Sequence, residues 1–387
     1  MIAYKDRFCL IPESSINIMP DGSITPCCGL TTKHDVVGNI FEHSLQEVFD
    51  GPWYQEFRRI HRSGELTERC RRFCVDEGNG EVHRLGRNRL VLTEIDHNNY
   101  TEGETRLISI DLGFGNVCAL TCIFCSSTFS SSWAKKSGQL DQIYRVDKQT
   151  MFRDMSIFAS AIELNFKGGE PFNIPYLPEF LEELYLVNPR CRISFVTNGI
   201  DCTDRLFAAI SKFELSFVVS IESLGDLYSY LRGGDKDHTA AFNTLRRFKS
   251  IKPNFLAVST ILHLYNYHCW AEDMYTIQQE FDVEILLQLL TWPNNQSPLV
   301  LRQEHRLSLV KSIESWLKKG LRVQGIDSIL WQLKDEWPRI SANPDEVLAE
   351  VIKNDRFRSK RLFDIIPDFS DKLIPAKQSK VIPLIPH

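Results

Sequence analysis

From about residue 107 the chain settles into a repeating pattern. Short apolar, β-branched runs at 107–112, 161–167, 192–197, 215–221, 255–262 and 284–290 read as strands. They are nearly all apolar, as strands covered on both faces tend to be. Helical patterns lie between them at 176–187, 203–212, 239–250 and 270–280. Six such units predict a parallel sheet with right-handed crossovers. The fold class expected is α/β, a partial (β/α)6 barrel of TIM type, although pattern alone also allows a flat doubly wound sheet. In either case the chemistry is expected at the C-terminal ends of the strands.

The chain before this region has a different texture. Asp21-Gly22 marks a hairpin turn, and an amphipathic helix is expected at 44–60. The stretch 75–106 is polar and charged. A further helix is expected at about 302–319, ahead of a tail containing Pro367, Pro375, Pro383 and Pro386. The division that follows is a small cysteine-rich domain at 1–80, a linker at 81–106, the barrel at 107–295, and a C-terminal helical extension and tail at 296–387.

Composition changes this picture little. The chain has 387 residues, 43% hydrophobic and 25% charged, with net charge -5. That balance is ordinary for a globular protein and offers no general attraction to nucleic acid. No run approaches the roughly 20 apolar residues of a membrane span, and the first residues carry no apolar signal-peptide core. A cytoplasmic location, no membrane and no nucleic acid are therefore expected.

The 11 cysteines carry more information, because eight of them lie before residue 130. In a reducing compartment such clustering favours metal binding over disulfides. Cys118-Ala119-Leu120-Thr121-Cys122-Ile123-Phe124-Cys125 directly follows the first barrel strand. Three thiolates spaced this closely can hold three corners of a four-iron cluster, leaving the fourth iron open to a ligand. A structural zinc knuckle would need a fourth Cys or His close by, and Ser126 to Trp133 supply none. Gly168-Gly169-Glu170-Pro171 follows the second strand, where glycines permit close backbone approach and a carboxylate can take an ammonium group.

C-x3-C-x-aromatic-C followed by G-G-E-P on the next strand resembles the radical S-adenosylmethionine (radical SAM) superfamily. The resemblance implies a [4Fe–4S] cluster on Cys118, Cys122 and Cys125, with SAM chelating the open iron. Phe124 fits the aromatic position against adenine, and Gly168, Gly169 and Glu170 fit the methionine-amine site. Thr197-Asn198-Gly199 matches the end of the third strand, placing Asn198 at the cofactor. Ser220, Glu222 and Arg232 match a stretch that commonly touches the SAM ribose or carboxylate. Two departures are Ala119, where Asn is usual, and Glu222, where Asp is usual.

The N-terminal cysteines resemble a SPASM or twitch auxiliary-cluster module, which in familiar cases follows the barrel and here precedes it. The hairpin brings Cys9 near Cys27, and the following helix delivers Cys70 and Cys74. These four thiolates would close a second [4Fe–4S] cluster, with Cys28 able to substitute for Cys27. A four-cysteine zinc site is the alternative.

The resemblance implies an enzyme. It would cleave SAM reductively to a 5′-deoxyadenosyl radical, using an electron donor such as flavodoxin or ferredoxin. The radical would then take a hydrogen atom from a peptide or small-molecule substrate. A noncatalytic iron–sulfur or zinc scaffold, or an RNA-modifying radical SAM enzyme, are the other readings. Cys269, in the loop after the fifth strand with His263, Tyr265, Tyr267 and His268, is a candidate hydrogen-atom donor, while Cys191 and Cys202 read as apolar filler. The basic runs 56–62 and 356–361 read as solvated helix faces, the alternative being that they receive an acidic substrate or the leader of a peptide.

Overall fold

The computed structural model describes residues 11–63, 65, 67–68, 70, 105–233, 237–335, 340 and 342–369. These fall into two compact units. The first comprises the described residues of 1–119, 126–196 and 202–216, and the second those of 120–125, 197–201 and 217–387.

In the first unit the strands are β1 (Ser15–Ile18), β2 (Ser23–Thr25), β3 (Gly38–Asn39), β4 (Ser109–Leu112), β5 (Glu163–Phe166) and β6 (Arg192–Thr197). β7 (Glu214–Ser220) leads into the second unit, which contains β8 (Phe255–Leu262), β9 (Glu284–Leu289) and β10 (Val323–Gln324). Neighbours run β3-β2-β1-β4-β5-β6 in the first unit and β7-β8-β9-β10 in the second. From β4 to β6, and again from β7 to β9, each strand lies beside its successor. A doubly wound sheet reverses direction at a switch point. The α/β expectation is therefore met, and neither the run from β4 to β6 nor that from β7 to β9 contains such a reversal.

The Asp21-Gly22 hairpin forms as expected. Asn17 pairs with Thr25 and Ile18 with Ile24, and Gly22 adopts φ +82. The positive φ favours glycine, and a Cβ there would also displace the exposed Phe41 ring, 2.5 Å away. The sequence did not suggest the next contact: β1 pairs in parallel with β4, Ser15 to Ser109 through Ile18 to Leu112. The cysteine-rich hairpin thus continues the barrel strands of its unit.

The expected helix over 44–60 is two helices, Leu45–Phe49 and Pro52–Arg62. Pro52 has no amide proton and its ring clashes with a helical carbonyl, so it begins a helix rather than continuing one. A Ser44–Glu47 capping box starts the first helix. The basic run on the second helix is not a solvated face throughout. Arg58 is buried, donates to the carbonyls of Pro12 (2.9 Å) and Phe49 (2.7 Å), and lies 4.3 Å over the Phe49 ring. Arg62 forks onto buried Glu13 through two 2.8 Å bonds. Arg59 does remain exposed, paired with Glu56.

The strands are buried on both faces, but one face is polar. Across β1, β4, β5 and β6 the register aligns Asn17, Asp111, Asn165 and Ser194, all buried. The alternate row is Ile18, Leu112, Phe166 and Phe195. Phe166 meets Phe180 of helix Leu177–Val187 at 6.0 Å, so the apolar row faces the helices. The polar row faces the other way. Cys191 and Cys202 are buried apolar fillers, as expected.

Candidate active site

In the first unit, β4 runs out through Gly113 and Gly115 to Cys118. Asn116, fully buried, organises this exit. Its amide donates to the carbonyls of Ser127 (2.8 Å) and Gln142 (2.6 Å), and its oxygen accepts from the Tyr144 amide (2.9 Å). Ser132 Oγ donates to the Cys118 carbonyl at 2.8 Å. Asn116 was not singled out from sequence; the only signal is a short polar side chain within an otherwise apolar strand exit.

Gly168 and Gly169 lie directly against this exit. The Gly169 amide bonds Gly115 O (3.2 Å) and the Glu170 amide bonds Val117 O (2.8 Å). A Cβ on Gly169 would stand 2.5 Å from the Asn116 carbonyl carbon. Gly168 has φ +116, a conformation glycine tolerates. The two glycines thus let the second strand's loop lie on the segment that carries Cys118. Glu170 is buried, and its Oε1 accepts from the Phe172 amide at 3.1 Å. Lys167 pairs with Asp111 on the polar face. On that face Asn17 Oδ1 and Asn165 Oδ1 are buried without a partner among the described residues.

In the second unit, residues 121–123 run along the end of helix Gly225–Arg232, a helix the sequence patterns did not reveal. The Thr121 amide bonds Arg232 O (3.1 Å) and the Ile123 amide bonds Leu231 O (2.9 Å). Arg232 then joins three other residues expected from sequence. Its Nη1 lies 3.7 Å from Cys122 Sγ, and its Nη2 donates to Glu222 Oε1 at 2.8 Å, with Nε 2.5 Å from Oε2. Its guanidinium carbon is 5.6 Å from the Phe124 ring centre. Burial raises the Glu222 carboxyl, and Arg232 pulls it back. Burial likewise raises the Cys122 thiol, opposed by Arg232.

Asn198 is buried and its side chain closes a turn onto the Ile200 amide (2.9 Å). Ser220 ends β7, half-buried. His263, buried and 6.0 Å from the Phe124 ring, accepts from the Tyr265 amide at Nδ1 (3.0 Å). Desolvation, with the His268 charge, lowers its pKa to about 3. The ring is therefore neutral with its proton on Nε2, which finds no partner among the described residues.

Cys269 Sγ donates to Asn266 O at 3.5 Å and sits 3.7 Å from Ser223 Oγ. Desolvation and Asp273 push the thiol well above its usual range, so it stays protonated.

Of the four N-terminal cysteines, Cys9 and Cys74 lie outside the described residues. Cys27 and Cys70 are both buried in one cluster with Ile11, Leu30 and Phe57, whereas Cys28 is exposed. His61 Nε2 stands 3.8 Å from Cys70 Sγ, and its Nδ1 bonds Phe57 O at 2.9 Å. Among the described residues no three His, Cys, Asp or Glu side chains converge on a single-ion site.

Residues 112–274 match the Radical SAM superfamily. The matched residues span the strands from β5 to β8, so the similarity lies in the barrel region. Residues 9–74 match SPASM, an iron-sulfur cluster-binding domain, ahead of it. The two domains imply iron–sulfur clusters and SAM as cofactors. No curated protein matches in sequence. Among solved structures, native anSMEcpe with bound AdoMet and Cp18Cys peptide is 14% identical over 57% of this chain and 63% of its own, with TM-score 0.42. SuiB of Streptococcus suis is 12% identical over 73% and 62%, with TM-score 0.41. TYW1 with a lysine-pyruvate adduct is 18% identical over 54% and 73%, with TM-score 0.33. The chain spans a little under two thirds of the length of the first two. No helix among the described residues is long and apolar enough to cross a membrane.

Proposed function

We propose that the protein is a radical SAM enzyme with an auxiliary cluster. Cys118, Cys122 and Cys125 would hold the SAM-binding [4Fe–4S] cluster, and Cys9, Cys27, Cys70 and Cys74 the second. The observation that carries this reading is the buried Arg232. It places a cation 3.7 Å from Cys122 Sγ, beside Phe124, with Glu222 balancing its charge. A cation there favours the thiolate form that a metal ligand needs. The donor set fits the cofactor in a second way, since the glycines at 168–169 leave no side chain over the segment entering Cys118.

When bound, the cluster and SAM would supply the radical chemistry for hydrogen abstraction from a substrate C–H bond. The chain's own residues do the positioning. Arg232 orients Cys122 and Phe124, and Asn116 shapes the entry to Cys118. Phe124, Gly168, Gly169, Glu170, Asn198, Ser220, Glu222 and Arg232 would each be a SAM-binding residue, as the resemblance implies. The buried polar row of Asn17, Asp111 and Asn165 would meet polar groups of the substrate, a peptide or small metabolite. Of Cys27 and Cys28, buried Cys27 beside Cys70 is the better ligand. A one-electron donor such as flavodoxin or ferredoxin would serve the enzyme.

The test is anaerobic reconstitution followed by SAM and dithionite. Wild-type protein should form 5′-deoxyadenosine and Cys122→Ala should form none. Iron-loaded wild-type protein that makes no 5′-deoxyadenosine would refute the proposal.

A further inference from the structure

The basic run at 356–361 has no place in the reading above, and the structure does not leave all of it in solvent. Arg358 turns inward. Its Nε donates to Tyr230 O and its Nη2 to Thr121 O, both at 2.5 Å, and its Nη1 reaches Thr121 Oγ1 at 3.3 Å. The guanidinium carbon is 5.9 Å from the Tyr230 ring centre. Behind it, Tyr230 Oη donates to Asp355 at 2.8 Å, and Asp355 also accepts from the Leu362 amide at 3.1 Å. The approach is close enough to demand glycine at 233, where a Cβ would stand 2.4 Å from Thr121 Oγ1 and 3.0 Å from the Arg358 guanidinium carbon. Gly233 adopts φ +60.

Thr121 precedes Cys122. Its amide is held by the carbonyl of Arg232 and its own carbonyl by Arg358. Two guanidinium groups therefore converge on this stretch of the ligand loop, one from helix Gly225–Arg232 and one from the C-terminal extension.

We propose that Arg358 is a positioning residue for the cluster held by Cys122. It fixes the Thr121–Cys122 segment and sets a second positive charge beside the ligand, raising the cluster's reduction potential. Reduction adds negative charge to the cluster, and a partly buried, weakly screened cation stabilises that form. The inference rests on Cys118, Cys122 and Cys125 being the ligands.

The test uses the full chain, reconstituted anaerobically, with the SAM-responsive cluster followed by EPR through a redox titration. Arg358→Gln removes the charge, while Arg358→Lys keeps it without the planar fork. At fixed poise, R358Q should show a roughly tenfold lower ratio of reduced to oxidised cluster, 59 mV for one electron. R358K should stay within about threefold of wild type. An unmoved R358Q, or equal shifts in both variants, overturns the inference. If R358Q loses its iron, R358K decides alone: a ratio within about threefold supports the charge role and a tenfold fall overturns it. A wild-type protein with no SAM-responsive cluster refutes the ligand assignment instead, so the two failures are distinguishable.

Discussion

Replacing Arg232 by methionine separates two contributions of one buried cation. Arg232 and Glu222 are 5% and 2% exposed, so neither charge is hydrated. Removing the arginine leaves Glu222 buried and uncompensated, which costs about 3–5 kcal/mol. Removing both charges, as Arg232→Met/Glu222→Met, eliminates the desolvation penalty too and should return stability to within about 1 kcal/mol of wild type. At about 2–4 °C per kcal/mol for a unit of this size, the single variant should melt roughly 6–20 °C lower. The deficit has a predicted pH dependence. Burial already raises the Glu222 carboxyl, and Arg232 is the main opposing influence. Without it the folded-state pKa rises further above the unfolded value. Below about pH 4.5 the carboxyl is protonated in both states and the deficit is small. The deficit should grow by up to about 1.4 kcal/mol per unit only once pH passes the folded-state pKa that Glu222 has with Arg232 in place, itself above the unfolded value, and should level off when the variant's higher folded pKa is passed. Thermal unfolding of cluster-free protein at several pH values measures all of this. A single variant losing under 1 kcal/mol, or a double variant no more stable than the single, would refute the account of the pair.

Two further outcomes follow from the site. Gly169→Ala would place a Cβ 2.5 Å from the Asn116 carbonyl carbon and 2.7 Å from Val117 O. Backbone must move there, so the variant should lose at least about 2 kcal/mol of stability and most 5′-deoxyadenosine formation; unchanged turnover would contradict the packing. Cys27→Ser should lower iron from about eight to about four atoms per chain, whereas Cys28→Ser should leave it unchanged; equal loss in both would overturn the assignment of Cys27 as ligand.

Much of the site was legible because the chemistry needs specific residue types at short range. The Cys118–Cys125 spacing and Gly168-Gly169-Glu170 are local, and each follows a strand that pattern alone locates. The β1–β4 pairing was not legible, because four residues of mixed polarity carry no sign of which strand they join. The polar row was missed for a related reason. Ser109-Ile110-Asp111-Leu112 alternates, but both faces are buried, so the run reads as a core strand. Arg58 and Arg358 show the limit of reading charge along a sequence. Each sits in a basic run that also has exposed members, Arg59 in one and Lys360 and Arg361 in the other, and only the fold reveals which side chain turns inward. The break at Gly51-Pro52 was legible from proline's missing amide but was overridden by the longer amphipathic pattern.

The open fourth iron is tested most directly by EPR of the dithionite-reduced protein with and without SAM. Wild type should show a cluster signal that changes on adding SAM. The variant Cys118→Ala/Cys122→Ala/Cys125→Ala should retain only a second signal indifferent to SAM. A wild-type spectrum that SAM leaves unmoved, in protein carrying its full iron, would contradict the account.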